Sequence, residues 1–236
     1  MSEWTSCGYS FELSPSKFGE LRSSNEILGN RYKLQKRMQE DGYLLLRQIL
    51  DLDLVENCRL ELAEKLDSIG DIDQRYPLID AIQNPETQNA QMSATGFAKK
   101  LGAGPAVRKL VHEGKMIDFY THFFGQSVRP LDFVWVRSMR VGYSAPCHYD
   151  WVYMGRGSNR LLTSWTPIGS VPKIEGALAV LEGSNHFDEL IQGYGSIDVD
   201  DQSSNPHKFK GSYTKNPVEV QRQFGVRRLT TDFQAG

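Results

Sequence analysis

The sequence predicts an all-β core with flanking helices, an α+β chain whose strands form an antiparallel sandwich or barrel. Two observations point there. Beyond Arg129, FVWVRSMRV, LLTSWTPI and GALAVLEG are short runs rich in Val, Trp, Leu and Thr, bounded by Gly, Pro, Ser and Asn, with no helical period between them. Ahead of them, two stretches do carry a helical period. With 39% apolar and 11% aromatic residues in 236, the chain can enclose one sizeable core. A single domain over residues 30–236 is expected, behind a flexible N-terminal arm of residues 1–29.

The arm is polar, contains Gly and Ser, and shows no sustained period. From Tyr32 a short helical pattern leads to DGYLLLRQIL, where Asp41-Gly42 marks a break and Tyr43 to Leu46 suits a short buried strand. In DLDLVENCRLELAEKLDSIG, residues Leu54, Val55, Cys58, Leu62, Leu66 and Ile69 fall near one stripe of a helix that Asp51 or Asp53 can cap. Residues 70–104 hold Pro77, Pro85, Gly96, Gly102 and Gly104 among polar residues and read as a long excursion. A second helix opens at Pro105 and runs to a stop at Gly125, weakened in its middle by Gly114; His112 and His122 ride on it as ordinary surface or core-edge histidines. After the three strands, residues 193–217 are rich in Gly, Ser and Asp and read as a long mobile connection of the kind that can cover a site. VRRLTTDFQAG looks like one more strand and a turn.

Charge excludes several partners. The formal net charge is −2, from 27 basic and 29 acidic residues, and no Lys/Arg run is long enough to track phosphates or an anionic membrane. No nucleic acid is expected as a partner. There is no apolar stretch near the length of a membrane span, and MSEWTSCGYS lacks the basic and apolar regions of a signal peptide. A soluble, cytoplasmic protein is the expectation. The three cysteines, Cys7, Cys58 and Cys147, match neither a zinc site nor a disulfide framework and read as plain thiols.

Two His-x-Asp pairs occur, His148 with Asp150 and His186 with Asp188. Five histidines and fifteen aspartates in this length give roughly 0.3 such matches by chance, so context must decide between them. On a strand, positions i and i+2 project from one face about 6.5 to 7 Å apart at Cα, so both side chains could reach one ion. The neighbours of the first pair, Cys147, Tyr149, Trp151, Val152 and Tyr153, favour a strand. The second pair follows the turn Glu182-Gly183-Ser184-Asn185 and is explained by a helix cap. An imidazole and a carboxylate joined by a second, distant imidazole form the facial triad of non-haem iron(II) oxygenases. Without a metal, the first pair would be a strand-end histidine bonded to a carboxylate.

DGYLLLRQIL followed by a helix, then HYDWVYMGRG, then LLTSWTPIGSVPKIEGALAVLEGSNH, resembles the phytanoyl-CoA dioxygenase family of iron(II)- and 2-oxoglutarate-dependent oxygenases. The resemblance implies a double-stranded β-helix, a jelly roll with helices outside. It implies Fe(II) held by His148 and Asp150, with His186 in a turn and not a ligand. It also places Trp165 beside the 2-oxoglutarate co-substrate, with Thr163 on the same strand face, and leaves Arg137 and Arg156 as candidates to face a carboxylate. Dioxygen and a small-molecule substrate are the implied partners.

In that family a distal histidine and a 2-oxoglutarate-binding arginine follow a turn of the type FQxGD, and this sequence reads Phe233-Gln234-Ala235-Gly236 at its end. The expectation is therefore a jelly roll incomplete at its C-terminal end and an inactive fragment of an oxygenase. Two further readings stand beside it. One is a non-catalytic jelly-roll binding module with a vestigial metal site. The other is a cupin-like metal protein using His148, Asp150 and His207, with Lys208, Lys210 or Arg222 as conceivable cations.

Overall fold

The computed structural model describes residues 4–87, 100–140, 142–201 and 211–236. Its architecture is a helical layer set against small sheets and long irregular segments. Strands β1 (Thr5–Ser6) and β2 (Tyr9–Ser10) form a hairpin, and β3 (Phe18–Glu20) begins the second sheet. Helices α1 (Arg31–Asp41), α2 (Leu52–Asp67), α3 (Pro105–His112) and α4 (Gly114–Phe124) follow. The rest comprises the single turn α5 (Trp151–Met154), strand β4 (Val180–Leu181), helix α6 (Pro217–Phe224) and strand β5 (Arg228–Thr230).

Local chemistry explains the helices. Asn30 caps α1 by accepting from the Lys33 amide, and Gly42, at φ 75°, ends it in the left-handed region that glycine adopts most readily. In α2 the Asp51 carboxylate accepts from the Asp53 amide, and Val55, Cys58, Leu62 and Ala63 are the buried stripe, as the periodicity predicts. The single helix predicted from Pro105 to Gly125 is two. Glu113 is extended at φ −138° and Gly114 sits at φ 51°, so the glycine that weakens the pattern is where the chain turns.

One core lies among α2, α3 and α4, where Leu50, Val55, Cys58, Leu62, Leu101, Val107, Leu110 and Met116 are buried together; Val134, Val136 and Ile168 pack against it from the irregular side. A second joins Leu21, Leu45, Leu229 and Phe233 around a three-stranded sheet in the order β3-β5-β4. In that sheet β5 pairs in parallel with β3, Gly19 opposite Leu229, and antiparallel with β4, Val180 opposite Leu229. The segment expected as a loose arm thus supplies an edge strand, and its Leu21 and Ser24 are buried. A third cluster, Val152, Tyr194 and Ile197, lies beneath the His148–Asp150 segment.

The predicted strands are only partly formed. Among the described residues there is no closed barrel. GALAVLEG contributes Val180–Leu181, the tail contributes Arg228–Thr230, and Tyr43–Leu46 makes one bridge through Leu45 to Ser23. Residues 133–140 keep the alternating burial of a strand whereas LLTSWTPI does not, and neither has a ladder partner among the described residues. Hydrophobic alternation selects the face a segment buries; a strand also needs a neighbour to accept and donate its backbone hydrogen bonds. Among the described residues no helix is long and apolar enough to cross a membrane. Cys7, Cys58 and Cys147 are free thiols.

Candidate metal centre

The segment carrying His148 and Asp150 is extended only at its start. Cys147 bridges to Thr214, with its amide donating to the Thr214 carbonyl at 3.1 Å and its own carbonyl accepting from the Tyr213 amide at 2.8 Å. Three residues later Asp150 sits in a turn at φ −61°, its carbonyl accepts from the Tyr153 amide, and α5 begins. The strand expected through Tyr153 therefore stops at this turn. The physical reason is Val152. Fully buried against Tyr194 and Ile197, it draws the chain inward at a point where continued extension would carry it away.

The turn brings the two side chains together. His148 Nε2 lies 3.4 Å from Asp150 Oδ1. His148 Nδ1 is 2.7 Å from the Pro146 carbonyl, which can only accept, so Nδ1 carries a proton; Nε2 donates to the Asp150 carboxylate when the ring is protonated and offers its lone pair to an ion when that second proton is lost. Thr163 Oγ1 donates to Asp150 Oδ2 at 2.9 Å, which fixes the carboxylate and leaves Oδ1 on the histidine side. Tyr153 meets the His148 ring edge-on at 6.2 Å between centroids.

Electrostatics follow from this contact. The hydrogen bond to Asp150 raises the His148 pKa above 6.5, against the opposing effect of burial, and the same bond lowers that of Asp150 below the usual carboxylate range. Arg137 acts on both groups: its charge favours the Asp150 carboxylate and disfavours protonated His148.

These residues fit a metal ion. Two donors about 2.1 Å from one ion at right angles lie about 3.0 Å apart, so the 3.4 Å gap closes on a metal with a small side-chain shift. The Nδ1–carbonyl and carboxylate–hydroxyl bonds are of the kind that orient ligands from behind. Among the described residues no third His, Cys, Asp or Glu joins the pair. His207, Lys208 and Lys210 lie outside the described residues.

The other predicted residues divide. Thr163 reaches the site, as a partner of the Asp150 carboxylate. Trp165, two residues on, is partly exposed and packs its ring on Phe233 at 4.7 Å; Phe233 exchanges both backbone hydrogen bonds with Val171, which holds the C-terminal tail along this segment. Arg137 lies close enough to influence the pair and stacks on Trp135. Arg156 is engaged elsewhere, its guanidinium paired with Asp198 and, at 2.9 Å, with Asp200. That pairing holds the Asp198 carboxyl down to about 2. His186 faces the Glu40 carbonyl, while Asn185 donates to the Gln39 carbonyl at 3.0 Å and packs over Gly42. This turn is thereby joined to the end of α1. Sequence reasoning missed the Pro146 carbonyl and the edge of Tyr153; a backbone acceptor carries no residue-type signal. No family model matches the chain.

Proposed function

We propose that His148 and Asp150 are ligands of Fe(II), and that the protein is built on the plan of a 2-oxoglutarate-dependent dioxygenase of the phytanoyl-CoA dioxygenase type, a double-stranded β-helix that hydroxylates a small organic substrate. The observation that carries this reading is the fixed tautomer of His148 facing a carboxylate whose other oxygen is tied down by Thr163. Iron(II) with 2-oxoglutarate and dioxygen supplies the oxidising power to hydroxylate an unactivated C–H bond. The chain's own residues do the rest. His148 Nε2 and Asp150 Oδ1 hold the ion, and Pro146 and Thr163 keep those atoms converged. Trp165 presents a partly exposed ring beside Thr163, which screens the co-substrate from water.

With two donors among the described residues, iron is held weakly, and that same observation favours a second reading, a non-catalytic binding module with a vestigial metal pair. Anaerobic titration of the chain with iron(II) and 2-oxoglutarate separates them. The oxygenase reading expects the weak visible charge-transfer band of the chelate, lost in Asp150→Ala. Absence of the band at saturating iron and co-substrate supports the module.

A further inference from the structure

Residues 131–140 have two faces. Val134 and Val136 turn into the helical core, while Phe133, Trp135, Arg137 and Met139, spaced by two, are all exposed on the other side. Phe133 packs edge-on against Trp135 with centroids 5.4 Å apart, and the Arg137 guanidinium lies 4.3 Å above the Trp135 ring. Burial of its stem partly withdraws that guanidinium from water. Among the described residues no hydroxyl, carbonyl or carboxylate accepts a hydrogen bond from it, although five N–H donors are available. The next arginine, Arg140, differs: it faces inward and is bound to Asp71 and to the Thr87 carbonyl. The face therefore offers one cation, stacked on Trp135 within an apolar row and without an acceptor among the described residues, near enough to Asp150 for its charge to be felt there.

We propose that Arg137 and the Phe133–Trp135–Met139 face bind an amphipathic organic monocarboxylate, with its carboxylate on the guanidinium and its apolar body on the aromatic row. A planar guanidinium matches a carboxylate through two parallel N–H···O bonds, and the aromatic rings accept hydrocarbon at no cost in unpaired polar groups. 2-Oxoglutarate shares the carboxylate chemistry but carries a charge at each end and little apolar surface, so it leaves the row uncovered. This inference names the substrate class of the proposed oxygenase and rests on that reading for its purpose; the binding itself needs no metal.

The test is a titration of the metal-free full chain with 4-phenylbutyrate, followed by tryptophan fluorescence, with 4-phenylbutanamide and 2-oxoglutarate as separate arms. Saturable binding is expected for the carboxylate, weaker by about tenfold or more for the amide and for Arg137→Gln, and partly restored in Arg137→Lys. The amide arm uses the unaltered protein, so it stands even if a variant misfolds. Equal affinity for acid and amide, undiminished binding in Arg137→Gln, or Arg137-dependent binding of 2-oxoglutarate with none of 4-phenylbutyrate overturns the proposal. Carboxylate binding without any metal affinity at His148 leaves this site standing and removes only the oxygenase reading; metal affinity without carboxylate binding does the reverse.

Discussion

The helical layer and the 131–140 segment bury comparable residue types with opposite results. In α2, Val55, Cys58 and Leu62 are held by a capped, hydrogen-bonded helix, and the same core receives Val134 and Val136 from a segment that has no ladder partner among the described residues. One region is fixed by backbone and side chains together; the other is fixed by the side chains of one face alone. A helix satisfies its own backbone, whereas a strand depends on a neighbour. The free face of the second region is consequently where Phe133, Trp135 and Met139 stand exposed around Arg137, a cation with no hydrogen-bond acceptor among the described residues, whose charge reaches Asp150.

The comparison can be broken in several ways. The largest expected effect is Leu62→Ala in α2, which removes a buried side chain from the shared core and should cost about 2–5 kcal/mol, read from the urea midpoint at constant slope. An effect below that range would mean the helical layer is not the rigid partner.

Next comes pH. The His148 pKa is raised above 6.5 by its bond to Asp150, so that contact stabilises the metal-free fold fully below 6.5 and the contribution is lost as pH rises through the elevated value. Metal binding has the opposite sign, because an ion must displace the proton from Nε2. Affinity for a divalent ion should therefore climb as pH rises past 6.5 and level off above the folded pKa, and in Asp150→Asn the midpoint of that climb should fall. A pH-independent affinity would remove His148 from the ligand set.

The smallest expected effect is Trp135→Ser on the open face. Its ring packs on Arg137 and Phe133 and belongs to none of the buried clusters among the described residues, so stability should change by about 0.5 kcal/mol or less. A loss comparable to Leu62→Ala would show that this face is covered.

How much was legible in the sequence follows from the same contrast. The α2 stripe, a cap at Asp51 or Asp53 and a weak point at Gly114, though not the break the chain makes there, could be read locally, because helix propensity, capping and glycine conformation act within a few residues. The composition of FVWVRSMRV marked it as an extended segment, yet it could not reveal that the segment lacks a ladder partner among the described residues. At the candidate site, His148 and Asp150 are brought together as the spacing suggests, but by a turn that Val152 enforces through contacts with Tyr194 and Ile197, residues distant in sequence. Arg156 was misleading for a similar reason: Asp198 and Asp200 reach it across some forty positions.

The central claim is that His148 and Asp150 jointly hold a divalent metal, and anaerobic calorimetric titration of iron(II) into the unaltered chain, His148→Ala and Thr163→Val tests it most directly. The account predicts measurable binding by the unaltered chain, none in His148→Ala, and a weakening of about tenfold in Thr163→Val, where both ligands remain but the carboxylate loses its orienting hydroxyl. Iron affinity that is the same in all three proteins would contradict it.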